Sequence, residues 1–141
     1  MNHIGCSGWM LIALTLTLAS GAATADVVAV VSAKSPIVAL SKSQLADIFL
    51  GKTSRFPDGS PAVAIDQAEG SAVRDEFYDR VAGKSAAQIK AFWSKIIFTG
   101  RGQPPPTVSN TTELRQRIKD NPAAVGYLDR DKVDDSLRVV F

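Results

Sequence analysis

Hydrophobic and polar positions alternate in blocks along this chain, and the blocks change period as they go. Val27 to Val31 is an unbroken apolar run rich in β-branched residues, the pattern of a strand covered on both faces. Ser35-Pro36 breaks any helix, and Ser41-Lys42-Ser43-Gln44 then fits a capping box ahead of Leu45, Ile48 and Phe49. Gly51 stands where a glycine would end that helix. Residues 52–61 are rich in turn formers, and a second strand is expected over about Ala62 to Asp66, with Val63 and Ile65 buried.

The next block returns to helical spacing. Gly70 permits a tight turn, Ser71 can cap a helix, and Val73, Phe77 and Val81 make an apolar stripe that ends near Gly83. Ser85 caps another helix, on which Ile89, Phe92, Trp93, Ile96 and Ile97 predict a broad inward face. Three prolines, Pro104 to Pro106, prevent that helix from continuing. Asn110 with Glu113 resembles a further cap, with Leu114 and Ile118 facing inward and Asn121-Pro122 as the stop. Ala124 to Leu128 and Leu137 to Phe141 read as the last strands. Strands alternating with helices predict an α/β layer fold, a mixed central sheet flanked by helices, in one domain without internal repeats.

The first 25 residues read differently from the rest. Met10 to Ala19 is apolar but too short to span a bilayer, and Ala23-Thr24-Ala25 has the small-x-small pattern of a signal peptidase site. Residues 1–25 are therefore expected to be a cleaved signal peptide, with 26–141 the exported domain; an uncleaved anchor is the competing reading. Cys6 precedes the apolar run, so no lipid attachment pattern is present.

Cleavage would have chemical consequences. His3 and Cys6 are the sole histidine and cysteine. Without them the mature domain has no disulfide, no Cys/His zinc site, no Ser-His-Asp triad and no cysteine nucleophile. No metal ligand set, cofactor pattern or catalytic residue is expected. Asp66 and Glu69 lie close together but nothing nearby marks a nucleophile. The formal charge of +2 is too mild, and the basic residues too dispersed, to imply nucleic acid. A small anionic ligand is compatible with that balance.

The stretch from Ile65 to Tyr78 carries the main functional signal. A strand that feeds directly into a helix start aims unpaired backbone N–H groups, and the positive end of the helix dipole, at one point where anions settle. Ser71 has two readings, ligand donor or simple N-cap. Arg74, one turn in, either swings toward the helix start or lies on a solvated face paired with Asp75 or Asp79. Arg101, between two glycines, either reaches a ligand or partner or is an exposed loop charge. A carboxylate at Glu69 would repel an anion, so it is expected to order the turn.

Three segments in order resemble the phosphate-type substrate-binding proteins of ABC transporters. Leu45-Ala46-Asp47-Ile48-Phe49-Leu50-Gly51-Lys52 is similar to the segment after the early strand of one lobe, and Gln67-Ala68-Glu69-Gly70-Ser71 occupies the place of the anion-binding turn. Asn121-Pro122-Ala123-Ala124-Val125-Gly126-Tyr127 resembles the Pro-Gly-Ala-Ile-Gly-Tyr return segment. The resemblance covers nearly all of 26–141 and implies a single periplasmic-binding-protein-like lobe. It also implies a periplasmic location, a phosphate or similar oxyanion as ligand, and an ABC permease or another envelope protein as partner.

The family's turn reads Arg-x-Asp-Gly-Ser-Gly-Thr. Carried over position by position, it makes Gln67, Gly70, Ser71, Ala72 and Val73 the ligand-binding candidates, with Arg74 placed to replace the lost arginine and Arg101 on a loop suited to reach the ligand. Gln67 stands at the arginine, Ala72 at the second glycine and Val73 at the threonine, so a bidentate guanidinium and one hydroxyl are missing. Backbone donors at 71–73 are expected to survive these changes. A single lobe leaves an anion half exposed, where attraction is weak. Weak binding, a homodimer that completes the cleft, or an envelope protein-interaction module without a ligand all follow from that geometry.

Overall fold

The computed structural model describes residues 26–141; the expected signal peptide and its cleavage site lie outside the described residues. Strand β1, Val27–Ser32, has all six residues buried. It lies at the centre of a four-stranded sheet of order β2-β5-β1-β6. β5 (Ala124–Asp129) and β6 (Leu137–Val139) flank it antiparallel, and β2 (Val63–Ala64) extends the sheet parallel to β5. The sheet is mixed, as the sequence predicts.

Helices cover both faces, which explains the unbroken apolar run. Val27, Ala29 and Val31 join one hydrophobic cluster with Leu45, Phe49, Phe77 and Ile89. These come from α1 (Lys42–Phe49), α2 (Ala72–Ala82) and α3 (Ala86–Phe98). Val28 and Val30 point the other way, into a cluster with Leu114 and Ile118 of α4 (Thr111–Asp120). Strand alternation thus sorts one apolar run into two cores.

Local signals set the helix ends where expected. Ser41 and Ser85 each form a full capping box with Gln44 and Gln88, and Asn110 Oδ1 accepts from the Glu113 amide at 2.8 Å. Gly51 and Gly83 follow α1 and α2 with φ of 74° and 62°, the left-handed conformation that favours glycine.

Gly126 has a different duty, since a Cβ there would meet Ile118 Cδ1 at 2.6 Å and Leu114 Cδ1 at 3.0 Å. Close approach of α4 to β5 therefore requires a bare backbone. Gly126→Ala is expected to cost about 1–3 kcal/mol by overpacking, read as a lower urea midpoint with unchanged slope.

Three expectations are corrected. The strand anticipated over 62–66 splits in two: β2 stays in the main sheet, whereas β3 (Asp66–Gln67) leaves it to pair parallel with β4 (Thr107–Val108). Val63 is 39% exposed, because β2 is an edge strand. On α3 only Ile89 and Trp93 are buried; Ile97 is 49% and Phe98 91% exposed. Phe92 and Ile96 are partly buried against the main core, and the exposed end of the apolar face is formed by Ile97 and Phe98.

Candidate functional site

Where the chain crosses from β2 to β3 it buries an acid. Asp66 is 2% exposed, and a carboxylate so placed needs hydrogen bonds and a countercharge. It has both. Tyr78 of α2 donates its hydroxyl to Oδ2 at 2.6 Å, Tyr127 of β5 donates to Oδ1, and the Gln67 amide donates to Oδ1 at 2.8 Å. Arg74 Nε lies 3.6 Å from Oδ1, and the guanidinium sits over the Tyr78 ring, 5.1 Å from its centroid. Burial first, and then the Asp66 charge, push both tyrosine pKa values well above the ordinary value. Both hydroxyls are therefore protonated donors at neutral pH. Phe77 stacks on Tyr127 at 4.0 Å and 5°, which fixes that ring from its other side.

The turn that follows carries most of the candidates. Gly70 adopts φ 93°, and Ser71 caps α2 by accepting from the Arg74 amide at 3.3 Å. The Ser71 hydroxyl in turn donates to Gln67 Oε1 at 3.1 Å, and Gln67 Nε2 donates to the Tyr127 carbonyl at 2.8 Å. Both ends of the Gln67 side chain are thus engaged within the protein. The Ser71 amide bonds the Ala68 carbonyl at 3.2 Å, so the expectation of three available backbone donors at 71–73 is corrected to two. Ala72 and Val73 keep amides with no hydrogen bond among the described residues, at the positive end of an eleven-residue helix.

Arg74 corrects the expectation of a solvated position. It is buried and its ion pair is with Asp66, not with Asp75 or Asp79. It lines a cavity of about 320 Å³ together with Gln67, Trp93, Ser94, Pro104 and Thr107, among others. Arg74 Nε and Trp93 Nε1 are both buried without a hydrogen-bond partner; such an orphaned donor ordinarily costs about 1–3 kcal/mol. Ser71, Ala72 and Val73 do not line this cavity, so the helix start and the cavity are adjacent and not the same. Arg101 is exposed just beyond α3 and is not among the lining residues. Glu69 faces solvent and pairs with Lys90 of α3 at 3.4 Å.

Sequence reasoning identified the turn but not the role of Asp66, nor the cavity. A lone acid at the end of an apolar run was the available signal for Asp66. Among the described residues there is no group of three or more His, Cys, Asp or Glu that could hold a metal, and no helix long and apolar enough to cross a membrane.

No protein-family model matches the chain, and no curated protein sequence does. Solved structures do. A protein from Clostridium perfringens, described as a phosphate ABC transporter substrate-binding protein and crystallised with bound phosphate, superposes with a TM-score of 0.63 at 23% identity. The match covers 82% of this chain and 44% of that one. An ABC-type phosphate transport receptor from Vibrio cholerae gives 0.61 at 17% identity, over 82% of this chain and 45% of that one. PstS from Borrelia burgdorferi gives 0.57 at 15% identity, with 82% and 46% covered. The chain thus has the fold of a periplasmic-binding-protein-like lobe, and it spans less than half the length of the structures it matches.

Proposed function

We propose that this domain is a non-catalytic solute-binding lobe that holds phosphate or a similar oxyanion at the start of α2. The observation that carries the reading is the pair of unbonded amides of Ala72 and Val73 at the positive end of α2, on a fold shared with phosphate-binding proteins. Backbone N–H groups and the helix dipole act together there on a negative charge. Gly70 provides the turn, and the Ser71 hydroxyl can rotate from Gln67 toward a ligand while still capping the helix. Affinity is weak in a lone lobe, because water screens an anion held from one side. Export to the periplasm, cooperation with an ABC permease and a homodimer that closes the cleft belong to the same reading.

Isothermal titration with phosphate and sulfate is expected to show saturable binding that Ser71→Asp lowers about tenfold or more. Aspartate is as good an N-cap as serine, so helix and fold persist, whereas a carboxylate about 4 Å from the anion repels it by ~1–4 kcal/mol. Flat titrations with folded wild-type protein would remove the proposal.

One observation favours a second reading, an envelope protein-interaction module on the same fold. Ile97 and Phe98 project from α3 beside the exposed Arg101 loop, an apolar pair flanked by a cation. Pull-down from envelope extract with Phe98→Ala and Arg101→Ala as controls tests it, and a partner retained by both variants counts against it.

A further inference from the structure

We propose that the cavity bounded by β3, β4, α2 and α3 binds an organic monoanion with a flat apolar body, an aromatic monocarboxylate being the class that fits. This site is separate from the amides of Ala72 and Val73, and the proposal stands whether or not they hold an oxyanion.

Size is the first argument. At about 320 Å³ the space matches the lower end of small-molecule pockets, roughly 300–1,000 Å³. A tetrahedral inorganic anion would leave most of it unfilled.

Charge is the second. The ionic side chains around it are Asp66, Glu69, Arg74 and Lys90, two of each sign. Such a balanced wall suits one negative charge on the ligand and disfavours two or three. Asp66 does not ask for a ligand donor, because two tyrosine hydroxyls and the Gln67 amide already occupy its oxygens.

Arg74 is the group left wanting. No hydrogen bond from its guanidinium occurs among the described residues, and the nearest carboxylate oxygen is 3.6 Å away. Its side chain is 11% accessible, and Arg74 lines the cavity. A guanidinium fork pairs with a carboxylate through two parallel hydrogen bonds. Trp93 borders the same space, is 7% exposed, and has an Nε1–H with no acceptor. Ile97, Pro104 and Pro105 complete an apolar wall against which a flat ring packs.

The test uses the full chain and the indole N–H resonance of Trp93, assigned with Trp93→Phe. Benzoate is expected to shift that resonance saturably, whereas benzamide, the same shape without the charge, binds about tenfold or more weakly. Arg74→Gln is expected to weaken benzoate by a similar factor. Because Arg74 is buried, Ile97→Asp provides a second probe: the position is half exposed, and a carboxylate there repels the ligand while the thermal midpoint reports the fold. A phosphate titration of the same sample separates the two sites. Phosphate is followed by calorimetry, because the Ala72 and Val73 amides do not line this cavity and need not move the Trp93 resonance. Benzoate saturation without phosphate heat supports this site and removes the oxyanion reading, and the reverse removes this one. No saturable shift with aromatic monocarboxylates, equal binding of benzamide, or undiminished binding to folded Ile97→Asp overturns the proposal.

Discussion

Asp66→Ala is expected to lower the unfolding free energy by about 3–5 kcal/mol, the largest effect of any single substitution considered for this fold. The reasoning follows the groups left behind. Arg74, with an 11% exposed side chain, would keep its charge without the carboxylate that faces it at 3.6 Å. The hydroxyls of Tyr78 and Tyr127 would lose their acceptor in the interior, at about 1–3 kcal/mol for each donor that finds no replacement. For a domain of this size the thermal midpoint should fall on the order of 15 °C or more. Urea unfolding checks the value, and the double variant Asp66→Ala with Arg74→Met should recover part of the loss, since it removes the stranded charge. A single variant that unfolds like the wild type would show that the buried network contributes little.

Alkaline pH should destabilise the domain steeply. The chain has two tyrosines, and both are buried against Asp66. Burial, and then the neighbouring carboxylate, raise their folded-state pKa values far above the value of about 10 that holds in the unfolded chain. The folded state therefore keeps both protons when the unfolded state begins to release them. Their contribution is fully present below about pH 10 and is lost progressively as pH rises above it, at about 1.4 kcal/mol per tyrosine and pH unit, or about 2.7 for the pair. Denaturation midpoints measured between pH 8 and 11.5 should be level and then fall. Tyr78→Phe should halve the tyrosine share of that slope, which separates it from lysine titration.

Elements governed by local chemistry were legible in the sequence. Ser41, Ser85 and Asn110 cap helices because a side-chain oxygen three residues ahead of an orphan amide suffices, whatever the rest of the fold does. Gly51 and Gly83 end helices for a similarly local reason. The covered strand was visible in five consecutive apolar residues. What escaped depends on distant partners. β3 and β4 are two residues each, too short for any period to register, and three prolines stand directly before β4. Arg74 has Asp75 beside it and Asp79 on the same helix, yet Asp66 on a different element claims it. Ile97 and Phe98 continue an apolar stripe, and a stripe does not reveal that its far end stays exposed.

The candidate site divides along the same line. A glycine-serine turn into a helix can be read from the letters, and it is present. Consumption of the Ser71 amide by the Ala68 carbonyl is a matter of turn geometry that the letters do not specify. The cavity draws its walls from residues 66 to 107, assembled by packing alone.

Placing the earliest strand in the middle of the sheet has a consequence for biogenesis. β1 is sandwiched between β5 and β6, so its partners lie just over 100 positions downstream in the register Val27↔Asp129 and Ser32↔Leu137. A growing chain at the ribosome cannot zip up this sheet in stages, because β1 waits unpaired until β5 and β6 have been synthesised. Loop closure over such a span is slow, and exposed apolar segments invite chaperones meanwhile. A polypeptide wired this way stays threadable until β5 and β6 have emerged.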